Sequence, residues 1–175
     1  MSNRENRSRI HVPGHLPQKL TISFWYHDWL AAALPGAPYE DLECCVKGLT
    51  LRGFTAARVG IGLTYAFRLD GSPRGPVTFA PPVPGYARNP YYAGHGGRRD
   101  ALARLIHLLE LARQHHVWII LTSWEYQDSS CIGDPAVRAE LASVPKQQRF
   151  MYLAEQHDRL LAIIKAKGLA EQVAF

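Results

Sequence analysis

Apolar positions along the chain follow two different periods, and the alternation between them predicts the elements. Leu20 to Trp25 alternates loosely in β-branched and aromatic residues, the pattern of a strand. Pro35, Gly36 and Pro38 then break the chain, and Tyr39-Glu40-Asp41 opens a helix with acids in its first turn. Leu42, Val46 and Leu49, with Cys45, give that helix an apolar stripe, which Gly53 ends. Phe54 to Ile61 predicts a second strand. Asp100 to His116 predicts a helix with Leu102, Leu105, Ile106, Leu109 and Ala112 on one face. Val117 to Thr122 is an unbroken apolar run, expected to be a strand buried on both faces. A last helix, Lys146 to Lys167, is expected to bury Phe150, Leu153, Leu160, Leu161 and Ile164. Gly168 closes it, and Val173-Ala174-Phe175 begins another apolar run.

The intervals between these elements read as loops. Residues 62–96 hold Pro73, Pro76, Pro81, Pro82, Pro84 and Pro90, and a loop of that length inside a domain is usually functional or disordered. A second loop is expected from Ser123 to about Pro145. Residues 1–19 show no periodicity and read as a flexible leader, which leaves 20–175 as the domain.

Strands alternating with helices imply right-handed crossovers and a parallel sheet. A complete (β/α)₈ barrel needs about 250 residues. Three βα units and the start of a fourth strand make about half of one, so the expected fold class is α/β, the N-terminal half of a TIM barrel. A doubly wound nucleotide-binding sheet is the rival. Its glycine turn should follow the first strand, where Trp25-Tyr26-His27-Asp28-Trp29 leaves no room for a pyrophosphate. Gly60-Ile61-Gly62 alone is a weak signal.

Composition narrows the partners. The 20 Lys and Arg outweigh 15 Asp and Glu, but the surplus falls in residues 1–19 and 68–104. A basic tail and loop without a helix stripe or a nucleic-acid motif argues against nucleic acid. No apolar run is long enough to span a membrane, and no secretory signal is read at Met1 to Arg9. Cys44 and Cys45 are adjacent and Cys131 leaves an odd count, which suits reduced thiols and a cytoplasmic setting.

In parallel α/β folds ligands meet the carboxyl ends of the strands. His115 and His116 precede the third strand and therefore lie at the wrong end for a metal pair. Three clusters lie at the right end: Trp25 to Trp29, Arg58 with Gly60 to Tyr65, and Ser123 to Asp128. Aromatic faces beside carboxylates and amides suit sugar rings, whose C–H faces stack while their hydroxyls need fixed partners. Arg58 lies mid-strand on the face of Phe54, Ala56 and Gly60, where a charge is costly unless paired. Glu125 and Asp128 sit too close together to flank a glycosidic bond, so binding or supporting roles suit them better than catalysis.

With these residues in view the chain resembles a known family. Gly53-Phe54-Thr55-Ala56-Ala57-Arg58 is similar to the second-strand motif Gly-Phe-Asn-x-x-Arg of cellulase-like glycoside hydrolases, with Thr55 in place of the asparagine. Thr21 to Trp29, and Trp118 to Ser129 with its Trp124-Glu125-Tyr126-Gln127 string, resemble strands one and three of bacterial members of that clan. The resemblance implies a retaining (β/α)₈ enzyme acting on a β-linked glycan through two glutamates, and no metal or organic cofactor. Those glutamates end strands four and seven in the family, so no catalytic residue is expected between residues 1 and 175. Carbohydrate contacts are expected from Trp25, His27, Asp28, Arg58, Tyr65, Trp124, Glu125 and Tyr126. A non-catalytic carbohydrate-binding or regulatory relative is the alternative, and a half barrel is expected to self-associate through its open edges.

Overall fold

A computed structural model describes residue 14 and residues 19–33, 35–79, 97–123 and 134–175. The leader expected over 1–19 falls almost wholly outside these, as do residues 80–96 and 124–133 of the two long loops.

Four strands form one parallel sheet in the order β1 (Ile22–Tyr26), β2 (Ala56–Ile61), β5 (Trp118–Ser123), β6 (Val173–Ala174), which is their order along the chain. Helix α2 (Leu42–Leu51) joins β1 to β2. Helix α4 (Ala101–Gln114) precedes β5, and α6 (Lys146–Ala166) precedes β6. Asp41 and Asp100 cap α2 and α4 by accepting the N–H groups of Cys44 and Ala103, both at 2.9 Å, so the first orphan donors of each helix are satisfied. A 3₁₀ turn at Ala170–Gln172 leads into β6.

One face of the sheet carries the core. Ala57, Val59 and Ile61 of β2 and Ile119 and Leu121 of β5 are buried against Leu42, Val46 and Leu49 of α2, Leu105, Leu108 and Leu109 of α4, and Leu160 and Ile164 of α6. The opposite face is different. Phe24 is 54 % exposed, and Arg58, Trp118, Ile120 and Ala174 are only half-buried. The expectation that the third strand is buried on both faces is therefore corrected: every second residue of β5 looks away from the helices and meets no second layer among the described residues.

Further differences are local. The stretch after β2 is not wholly irregular. It begins with a one-turn helix, α3 (Leu63–Ala66), and holds a short antiparallel pair, β3 (Val77–Phe79) with β4 (Gly97–Arg99). The second loop contains a helix, α5 (Pro135–Ser143), opened by Asp134, which accepts the Ala136 N–H at 2.9 Å, with Pro135 in the first helical position. In α6, Phe150 is 83 % exposed, Leu153 and Leu161 are half-buried, and Gln156 lies inside with Leu160 and Ile164. Among the described residues no helix is long and apolar enough to cross a membrane, and no cluster of metal-binding side chains occurs.

Candidate functional site

The carboxyl ends of β1 and β2 meet around two glycines. Between Phe24 and Tyr26 the pairing of β1 with β2 slips by one residue, and Tyr26 takes φ +45°, a left-handed conformation that costs a tyrosine energy. Bulges of this kind re-aim the side chains that follow. Here they turn His27 over β2, so close that a Cβ added to Gly60 would sit 2.9 Å from the ring. Tyr65, from α3, lies as closely on Gly62, where a Cβ would approach its ring to 2.7 Å. Glycine at both positions lets the two rings rest directly on the end of β2.

Trp29 fixes this end from beneath. Its indole N–H donates to the Gly60 carbonyl at 2.9 Å, and the ring is fully buried. Its own backbone carbonyl accepts from Arg104 Nε at 2.8 Å. Strand β5 is tied to the same place, since Thr122 Oγ1 donates to the Val59 carbonyl at 3.0 Å. Tyr65 in turn packs on Phe79, with ring centroids 5.5 Å apart.

Two ionisable groups are neighbours in the chain here, and burial drives both toward neutrality. His27 is brought down to about 4, mainly by desolvation, while the Gly60 carbonyl beside it pulls the other way. Burial also raises the Asp28 carboxyl above its ordinary value. A neutral imidazole offers one donor and one acceptor, the pair a sugar hydroxyl can use.

The lowered His27 pKa makes stability depend on pH. A histidine whose pKa falls on folding favours the folded state fully above its unfolded value of 6.5, and that contribution is lost as pH falls toward about 4. The loss should be on the order of 3 kcal/mol. Urea denaturation of wild type and His27→Gln between pH 7 and 4 checks this. The variant should lose less stability on acidification, and parallel curves would show that the ring titrates normally.

Of the sequence-predicted residues, His27 and Tyr65 come together at this end. Asp28 opens the one-turn helix that follows His27, and its carboxyl acts on Tyr39. Burial first, and then this carboxyl, raise the pKa of the Tyr39 phenol. Arg58 lies two residues below Gly60 on the uncovered face, with its guanidinium 5.8 Å from the Phe24 ring centroid. No ion pair forms at Arg58 among the described residues. Trp25 is 4 % exposed and packs edge-on against Tyr39, so it presents no face to solvent. Trp124, Glu125 and Tyr126 lie outside the described residues. His115 and His116 follow α4 at the opposite end of the sheet, as expected.

Sequence reasoning placed Trp29 in the first of its clusters but missed Arg104, Phe79 and Arg99 as parts of this assembly. Arg99 lies over Phe79, its Cζ 6.0 Å from the ring centroid. Nothing local marks these residues, because they meet only through the crossover that brings α4 beside α1 (Asp28–Ala31). Gly60 and Gly62 were visible as a pair, and their use is to seat rings rather than a phosphate.

The architecture is that of an α/β protein built on a parallel sheet of four strands. No family model matches the chain, and no curated protein sequence matches it. Among solved structures it is similar to the crystal structure described as a putative glycoside hydrolase from Parabacteroides distasonis, with a TM-score of 0.66 and 19 % sequence identity over 88 % of this chain. The match covers 36 % of that protein, so this chain spans about a third of its length. At that identity the likeness shows the fold.

Proposed function

We propose that the chain forms the N-terminal part of a (β/α)₈ glycoside hydrolase-like domain of the cellulase-like clan, whose whole protein hydrolyses a β-linked glycan with retention. The observation that carries this reading is the end of β2, where Gly60 and Gly62 seat the rings of His27 and Tyr65. A stacking ring next to a neutral donor–acceptor pair is what a sugar needs, and it lies where parallel sheets bind their ligands. The sheet order supports the barrel, since four parallel strands in chain order with helices on one face continue naturally into closure. Trp124, Glu125 and Tyr126 complete the proposed contacts from the end of β5.

Retaining hydrolysis needs two carboxyl groups about 5 Å apart on either side of the bond. The resemblance puts both beyond the residues of this chain, so the 175-residue polypeptide should bind and not cleave. The test uses β-linked oligosaccharides followed by tryptophan fluorescence, with an aryl β-glycoside for turnover. Binding that weakens at least tenfold in His27→Ala, with no turnover, is expected. Hydrolysis by the purified chain would place catalytic carboxylates within it and redirect attention to Asp28 and Glu125. No binding of any β-linked sugar would remove the carbohydrate reading.

A further inference from the structure

Beside the glycine-seated rings stand two arginines without a counter-charge among the described residues. Arg99 contacts the Phe79 ring face and donates from Nη1 to the Gly97 carbonyl at 3.4 Å, a long bond, while its Nη2 is buried with no acceptor. Arg104 spends Nε and Nη2 on the backbone carbonyls of Trp29 and Tyr39. The ion pairs among the described residues are Lys47 with Glu43 and Arg74 with Glu140, and neither serves these two cations. Burial lowers the pKa of both arginines, and Arg99 lowers that of Arg104 further by like-charge repulsion.

Two half-desolvated guanidiniums that repel each other and meet no carboxylate among the described residues are costly as they stand. A bound oxyanion would offset that cost, and a planar guanidinium fork is shaped to receive a carboxylate or a sulfate through paired N–H donors. The position fits a substrate subsite. Arg99 touches Phe79, Phe79 touches Tyr65, and Tyr65 lies on Gly62 at the end of β2.

We propose that Arg99, supported by Arg104, forms an anion subsite next to the sugar-binding end of β2, which makes the ligand an acidic glycan bearing a carboxylate or a sulfate ester. The inference rests on the carbohydrate reading and narrows it.

The experiment compares a β-1,4-linked glucose oligosaccharide, the corresponding glucuronate oligosaccharide and inorganic sulfate on the purified chain. Affinity is measured by calorimetry, and the Arg99 Nε–H signal is followed by NMR. The glucuronate oligosaccharide should bind at least tenfold more tightly than its neutral counterpart and shift the Arg99 signal, with sulfate competing. Arg99→Gln should abolish the preference, and Arg99→Lys should restore part of it. The direct NMR readout in wild type decides the matter even where Arg99→Gln fails to fold. Equal affinity for both oligosaccharides overturns the inference and leaves the carbohydrate reading standing. An unmoved Arg99 signal with all three probes overturns it too. Sulfate and glucuronate monosaccharide bound equally well through Arg99, with no neutral-sugar binding, would uphold the anion site and remove the carbohydrate reading.

Discussion

Arg74→Leu should cost about 3–5 kcal/mol of folding stability, the range for leaving one member of a buried pair without its partner. The Arg74 side chain is 8 % exposed and ties the segment between β2 and β3 to α5. Nε donates to the Thr64 carbonyl at 2.5 Å, and Nη2 donates to the Phe67 carbonyl at 2.8 Å. Nη1 meets Glu140 Oε2 on α5 at 2.6 Å. Glu140 also accepts the Leu69 N–H at 2.9 Å, and these donors hold its carboxyl below the usual glutamate range. Leucine would strand two buried carbonyls and a carboxylate at once. Because the Glu140 pKa falls on folding, its contribution is present above the ordinary glutamate pKa and fades as pH drops through the lowered folded value. Urea denaturation at pH 7 gives the cost. The double variant Arg74→Leu with Glu140→Leu should recover part of it, since the stranded carboxylate is then gone. A loss below about 1 kcal/mol in the single variant would mean that the pair is held no better than a surface ion pair.

The second large effect concerns association. We propose that the purified chain self-associates, so its apparent mass should rise with concentration above the monomer's 19.6 kDa. Parallel sheets are ordinarily covered on both faces, and among the described residues this one is covered on one. Phe24 at 54 % exposure and Tyr26 at 50 % lie along the uncovered face and its margin. Strands β1 and β6 also stand at open edges, each paired on one side only. The net charge of +5 opposes association, but most of the surplus lies in residues 1–19 and 68–104 rather than in the sheet strands. Light scattering coupled to sizing chromatography checks the expectation over a hundredfold concentration range. Phe24→Lys should shift the distribution toward monomer by placing a second cation beside Arg58. A monomer at every concentration would show that the face is satisfied within one chain.

Periodicity located the sheet strands and the three long helices because each is a local pattern with its own stop signal. Asp41 and Asp100 mark the starts of α2 and α4, as N-caps rather than as helical residues, and α2 and α6 end before Gly53 and Gly168. Helix α5 was legible too, in Asp134-Pro135, but the surrounding polar residues masked its short apolar stripe. Phe150 misled because the stripe of α6 turns away from it, and only the packing of that helix decides which face is inner. The site divides in the same way. The rule that ligands meet strand ends found His27 and Tyr65, which are close in sequence to β1 and β2. It could not find Arg104, some 75 positions from Trp29 along the chain, whose hydrogen bond exists only once α4 has crossed the sheet. Trp25 was misleading for a related reason: an aromatic at a strand end faces either the core or the solvent, and a single-residue bulge chooses between them.

Gly60 and Gly62 set how this region can change over generations. The backbone at both is ordinary for an L-residue, so alanine or serine, each one nucleotide substitution from glycine, would leave the strand intact. What gives way is the ring above, His27 in one case and Tyr65 in the other. A lineage released from selection on its ligand can therefore lose the seat by a single step while the scaffold continues to fold. Glycine at these two positions in related chains would thus serve as a genetic marker of the seated rings, separable from any marker of the sheet itself.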